Sequence, residues 1–103
     1  MNLTEVVYHL TRSYPKEELY GLTSQTRRCA VFIPANIAEG KGRRSKKEFQ
    51  QFLGHSRGSL LEFDTHLELA LRFDYISSER YQNVLLQINE VGRIINGLMR
   101  SLG

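Results

Sequence analysis

The sequence predicts an all-α protein, an antiparallel up-down-up-down four-helix bundle with a short first helix that assembles as a homo-oligomer. Two observations predict the fold class. Apolar residues recur three and four positions apart along most of the chain, the spacing that puts them on one face of a helix. Strand signals are absent throughout. The oligomer follows from a third observation: one helix carries two apolar stripes, and the first helix is too short to cover its neighbours.

The first helix is marked by Leu3, Val6, Val7 and Leu10, which share a face, and it must end before Pro15, because the residue preceding a proline avoids the helical region. The second spans about Thr23 to Glu39, with Thr26, Cys29, Ile33 and Ile37 on one face. Pro34 lies inside it, which frees the Ala30 carbonyl and should kink the helix. Gly40 is expected to close it as a left-handed C-cap.

The third helix runs from about Ser45 to Phe73 on a seam of Leu53, Ser56, Leu60, Phe63, Leu67 and Ala70. Ser45 followed by Glu48 resembles a capping box. Phe52, Leu61, Leu69 and Leu71 fall off the seam and form the second stripe. The fourth helix, about Ser78 to Leu102, has the longest seam: Tyr81, Val84, Ile88, Val91, Ile95, Leu98 and Leu102. Ser77 and Ser78 precede it and Glu79 sits in its first turn, which suits the positive end of a helix. Short connections near Lys41–Arg44 and Asp74–Ser77 make neighbouring helices antiparallel.

A chain of 103 residues reads as one domain covering residues 1–103. Its single cysteine, Cys29, permits no intrachain disulfide and fits a reducing compartment. No signal peptide is visible at the N-terminus and no apolar run approaches the ~20 residues of a membrane span. The expected location is the cytoplasm, without membrane attachment.

Net charge is +3, and the bundle topology concentrates it. The turn between helices two and three, with the tail of helix four, gathers Lys41, Arg43, Arg44, Lys46, Lys47, Arg93 and Arg100 at one end, offset by Glu5, Glu39, Glu48 and Glu90. Such a cluster could hold a phosphate backbone, or it could be a solvated turn that serves solubility. Arg27 and Arg28 form a weaker basic site at the opposite end.

Catalytic and cofactor chemistry finds no support. Gly40-Lys41-Gly42 lacks both the preceding strand and the Gly-Lys-Ser/Thr ending of a phosphate loop; it reads as a turn that uses glycine conformations. His9, His55 and His66 are not at ligand spacing. Glu62 and His66 stand four apart and occur once, whereas di-iron bundles pair such motifs. No nucleophile, base and orienting acid can be assembled. Cys29 reads as buried packing. Neither an enzyme, a metal nor a cofactor is expected. Two residues break local rules: Glu39 ends a helix, where the dipole disfavours a carboxylate, and Asn36 lies between apolar positions Ile33 and Ile37. Such breaks tend to specify assembly or function. A cationic partner for Glu39, either Arg43, Arg44 or a residue of another subunit, would resolve the first; a frayed helix end is the rival reading.

The same stretch carries a family resemblance. The run from Gln25 to Gly40, and above all Ile33-Pro34-Ala35-Asn36-Ile37-Ala38-Glu39-Gly40, resembles the signature of the bacterial four-helix-bundle proteins encoded in intervening sequences of 23S ribosomal RNA genes. Glu48-Phe49, Phe52-Leu53 and Gly58-Ser59-Leu60-Leu61-Glu62 continue it downstream, and Tyr14-Pro15 with Glu18-Leu19-Tyr20-Gly21-Leu22 upstream. Ser56 stands where alanine is common, a minor departure, and the first helix is short for the family. The resemblance implies a homo-oligomeric ring, typically a pentamer, without catalytic activity and associated with RNA, DNA or ribonucleoprotein. The family includes accessory proteins of diversity-generating retroelements, which assist a reverse transcriptase. On this basis Lys41, Arg43, Arg44, Lys46 and Lys47, with Arg27 and Arg28, are the expected nucleic-acid contacts. Asn36, Glu39 and Glu62 are expected to serve assembly or a polar network. The rival expectation is a structural oligomer or protein-interaction module whose basic turn is incidental.

Overall fold

A computed structural model describes residues 2–103. Helix α1 spans Leu3–Thr11, a 3-10 turn follows at Lys16–Glu18, and three long helices complete the chain: α2 at Leu22–Lys41, α3 at Lys46–Arg72 and α4 at Ser78–Leu102. The described residues contain no strand. α1 packs on α2 and α4, α2 on α3, and α3 on α4, which is the ring of neighbours an up-and-down bundle requires. The molecule measures 43 × 25 × 21 Å.

Helix starts follow their caps. The Asn2, Ser45 and Ser77 side chains accept hydrogen bonds from the backbone N–H groups of Glu5, Glu48 and Arg80 at 3.0, 3.1 and 3.2 Å, satisfying donors that a helix N-terminus leaves unpaired. Ser45 also donates to Glu48 Oε1 at 3.3 Å. α2 lacks such a side-chain cap at Gly21. The Glu18 carboxylate stands in from the 3-10 turn, accepting from Leu22 N–H at 3.5 Å and from the Tyr75 hydroxyl at 2.8 Å. That contact ties the start of α2 to the α3–α4 turn.

All six seam positions of α3 are buried, and Phe63, Leu53, Leu67 and Ser56 are fully so. Val84, Ile88 and Ile95 of α4 are buried against them, with Tyr81, Val91, Leu98 and Leu102 packed at the margin. Of the second α3 stripe, Leu61 and Leu69 are exposed and Phe52 and Leu71 half-buried.

The structure corrects four expectations. Gly40 is not a left-handed cap: α2 continues through it to Lys41, and no described glycine has positive φ. Glycine is needed there because α3 comes close. A Cβ at Gly40 would lie 2.8 Å from Phe49 Cδ1 and 2.9 Å from Phe52 Cβ. The Gly40-Lys41-Gly42 turn therefore uses no glycine-only conformation. The left-handed residue is Asp74, with φ 60°, in the α3–α4 turn. There Tyr75 N–H bonds back to the Ala70 carbonyl at 2.8 Å, the pattern that closes helix ends.

Pro34 lies inside α2, which continues as one helix to Lys41; having no N–H, it leaves the Ala30 carbonyl without its helical donor. Glu5 does not belong to the basic end. Thr4 lies beside Ala30 in the middle of α2, and nine residues of α1 reach only ~14 Å along helices that are ~30–40 Å long. Ser56, the departure that looked minor, is completely buried and donates to the Ile33 carbonyl at 2.7 Å, so it fastens α3 to α2 by a polar contact.

Candidate functional site

Two sets of charged and polar residues stand out once the bundle is built. The first is the basic end. Residues 41–47 are all exposed. Arg43 is engaged: its Nη2 donates to Glu39 Oε1 at 2.6 Å, and its guanidinium lies 4.8 Å from the Phe52 ring centre. The cation expected beside Glu39 is thus Arg43, four residues on, just past the end of α2. Lys41, Arg44, Lys46 and Lys47 make no ion pair among the described residues. Lys46 and Lys47 sit in the first turn of α3, where the helix dipole is itself positive and disfavours cations. Glu48 of the same turn offsets part of this charge, and an anion would relieve the rest.

The basic surface does not stop at the turn. Arg57 of α3 and Arg93 and Arg100 of α4 line one groove between these helices, together with Asn96 and Met99. Gln50 donates to the Met99 carbonyl at 2.6 Å, which places the Arg100 end of this groove beside the first turns of α3. None of the three arginines is in an ion pair among the described residues; Arg57 donates only to Asn96 Oδ1 at 3.4 Å. Arg57 lies in the middle of α3, well away from the turn in sequence. Its alignment with Arg93 could not be read without the register of α3 against α4.

Arg27 and Arg28 occupy a different environment. Arg27 is half-buried, donates to Thr11 Oγ1 at 2.8 Å and lies 4.7 Å from the Tyr8 ring centre. Arg28 lies over Phe32 at 5.3 Å. Both line an apolar depression with Tyr8, Leu19, Tyr20, Val31 and Phe32, which is a packing surface more than a phosphate cradle.

The second set lies where α2 meets α3. Asn36 donates to the Phe32 carbonyl at 2.8 Å. It lines a shallow groove with Glu62, Gly54, His55, Gly58 and Ser59, so the signature residues Asn36, Gly58, Ser59 and Glu62 come together, while Glu39 stays apart with Arg43. At the inner edge of this groove the Cys29 thiol donates to Glu62 Oε2 at 2.9 Å and lies 3.9 Å from His66 Nδ1. Burial, reinforced by the hydrogen bond to the Glu62 carboxylate, pushes the thiol up to about 12. The carboxylate thus acts on the sulfur and not on the imidazole, the reverse of what an activated nucleophile needs. Sequence reasoning missed this cluster because Cys29 is on another helix, 33 residues from Glu62. The one available signal was the spacing of Glu62 and His66 on one face of α3.

No helix among the described residues is long and apolar enough to cross a membrane. No curated protein matches the sequence closely enough to add a relative. The family model of the 23S rRNA-intervening sequence protein matches residues 1–97, nearly the whole chain. The chain belongs to the 23S rRNA-intervening sequence protein family.

Proposed function

We propose that the chain is a non-enzymatic, homo-oligomeric adaptor that binds nucleic acid through its basic end and holds it near a protein partner, a reverse transcriptase being one candidate, in the cytoplasm. The observation that carries this reading is the set of exposed cations Lys41, Arg44, Lys46 and Lys47, free of ion pairs among the described residues and continued by Arg100, Arg93 and Arg57 along the α3–α4 groove. Self-association multiplies it. Copies arranged in a ring, such as a pentamer, would bring several turns onto one rim, so that a modest charge per chain becomes a strong field. The exposed Tyr8, Leu19, Tyr20, Val31 and Phe32 support that association, since a patch of this kind marks an interaction surface. The same patch is what favours the second reading, a structural or protein-interaction module without nucleic acid.

A salt series decides between them. Binding by counterion release should fall with a log–log slope of about −0.9 per phosphate neutralised on duplex DNA and somewhat less on single strands. Alanine at Lys41, Arg43, Arg44, Lys46 and Lys47 together should weaken binding and flatten the slope. No binding by the native chain at low salt, or an unchanged slope in the variant, would leave the structural module as the function. Light scattering on the same samples should give a mass above that of one chain.

A further inference from the structure

We propose that Cys29, Glu62 and His66 form a zinc site that clips α2 to α3, independently of the nucleic-acid reading. The three side chains offer one ligand atom each, and all three atoms lie within 4.8 Å of one another. Cys29 comes from α2. Glu62 and His66 come from α3, four residues apart, and so project from one face on successive turns. In a tetrahedral zinc site with Zn–S near 2.3 Å and Zn–N or Zn–O near 2.0–2.2 Å, ligand atoms stand roughly 3.4–3.6 Å apart. The Sγ–Oε2 distance of 2.9 Å and the Sγ–Nδ1 distance of 3.9 Å bracket that spacing. Glu62 has the freedom to adjust, because it is exposed whereas Cys29 and His66 are buried.

The donor set suits the ion. A thiolate and an imidazole favour a borderline-soft metal over magnesium or calcium. One thiolate and one carboxylate together neutralise a dication in a partly desolvated position. Binding would break the Sγ–H bond that now points at Glu62, form the Zn–S bond and release the proton to water. With three protein ligands the fourth position stays open. It would be filled by water from the groove that Glu62 shares with Asn36, His55 and Ser59.

The test uses the full chain, reduced and stripped with chelator, titrated with Co²⁺ as a spectroscopic stand-in for Zn²⁺. We expect one Co²⁺ per chain, a thiolate-to-cobalt charge-transfer band, visible bands of four-coordinate cobalt, and loss of both on adding Zn²⁺. Zn²⁺ alone should raise the melting temperature of the native chain. Cys29→Ser should abolish the charge-transfer band, and His66→Gln and Glu62→Gln should each weaken binding at least tenfold. Absence of a thiolate band in the native chain would overturn the site, whatever the variants do. So would His66→Gln and Glu62→Gln chains that keep native affinity, or a stoichiometry of one ion per two chains, which would indicate a thiol bridge between copies.

Discussion

Thr4 Oγ1 lies 3.4 Å from the carbonyl oxygen of Ala30, the carbonyl that Pro34 deprives of its helical donor. The contact joins α1 to the middle of α2 at the point where the α2 ladder is interrupted. An unpaired carbonyl there would be costly in proportion to its burial, and Ala30 is fully buried. The long distance marks the bond as a modest one. Thr4→Val should lower stability by about 0.5–1.5 kcal/mol. In a Pro34→Ala background, where residue 34 again has an N–H for Ala30, the same substitution should cost measurably less. A double-mutant cycle in urea unfolding gives the coupling; additive costs would refute the link between the two residues.

Gly40 should tolerate no side chain. Its Cβ would meet Phe52 Cβ at 2.9 Å, an atom anchored to the α3 backbone, and overpacking of this kind costs about 1–3 kcal/mol. Gly40→Ala should therefore lower the denaturation midpoint, although alanine is the better helix former and an exposed helical glycine would gain from the change. Gly54→Ala serves as the control, because its Cβ meets nothing within 4 Å.

Tyr14 carries a buried hydroxyl without a hydrogen-bond partner among the described residues, and burial, opposed by the Arg80 charge, raises its ionisation from 10.0 to about 12. The raised value means that the folded chain holds this proton more tightly than the unfolded chain. Its contribution is present in full below pH 10 and is lost as pH rises towards 12. Tyr14→Phe should flatten that part of the alkaline unfolding profile. At neutral pH the change should be neutral or slightly stabilising, since the ring keeps its place 5.5 Å from Tyr75 and an unpaired polar atom is removed. Denaturant midpoints of both chains across this pH range provide the check.

Arg57, Arg93 and Arg100 should contribute to nucleic-acid binding, because together they line the α3–α4 groove. Replacing all three with glutamine should weaken binding uniformly across sequences and reduce the salt slope by up to about one per arginine that meets a phosphate. An unchanged slope would confine the interface to the turn. No comparable effect is expected from Arg27→Gln, whose guanidinium is occupied by Thr11 and Tyr8; filter binding at several salt concentrations separates the two cases.

Periodicity and capping chemistry, read from the sequence alone, were enough for the four helices, the order of their seams, the starts at Ser45 and Ser77, and the concentration of cations at residues 41–47. These depend on residues close in the chain: an i, i+3, i+4 stripe and a serine before a helix are local patterns. The family, too, was legible in one contiguous run from Gln25 to Gly40. The tertiary structure alone decided what depends on register between helices. It showed that Gly40 is small to admit Phe49 and Phe52, that Ser56 reaches the Ile33 carbonyl, that Glu5 stops short of the basic end, and that Cys29 meets Glu62 and His66. A helix repeats every 3.6 residues, so the sequence says which face a residue occupies. How far one helix slides along the next is set by side-chain interlocking over the whole interface, and that cannot be read from either helix by itself.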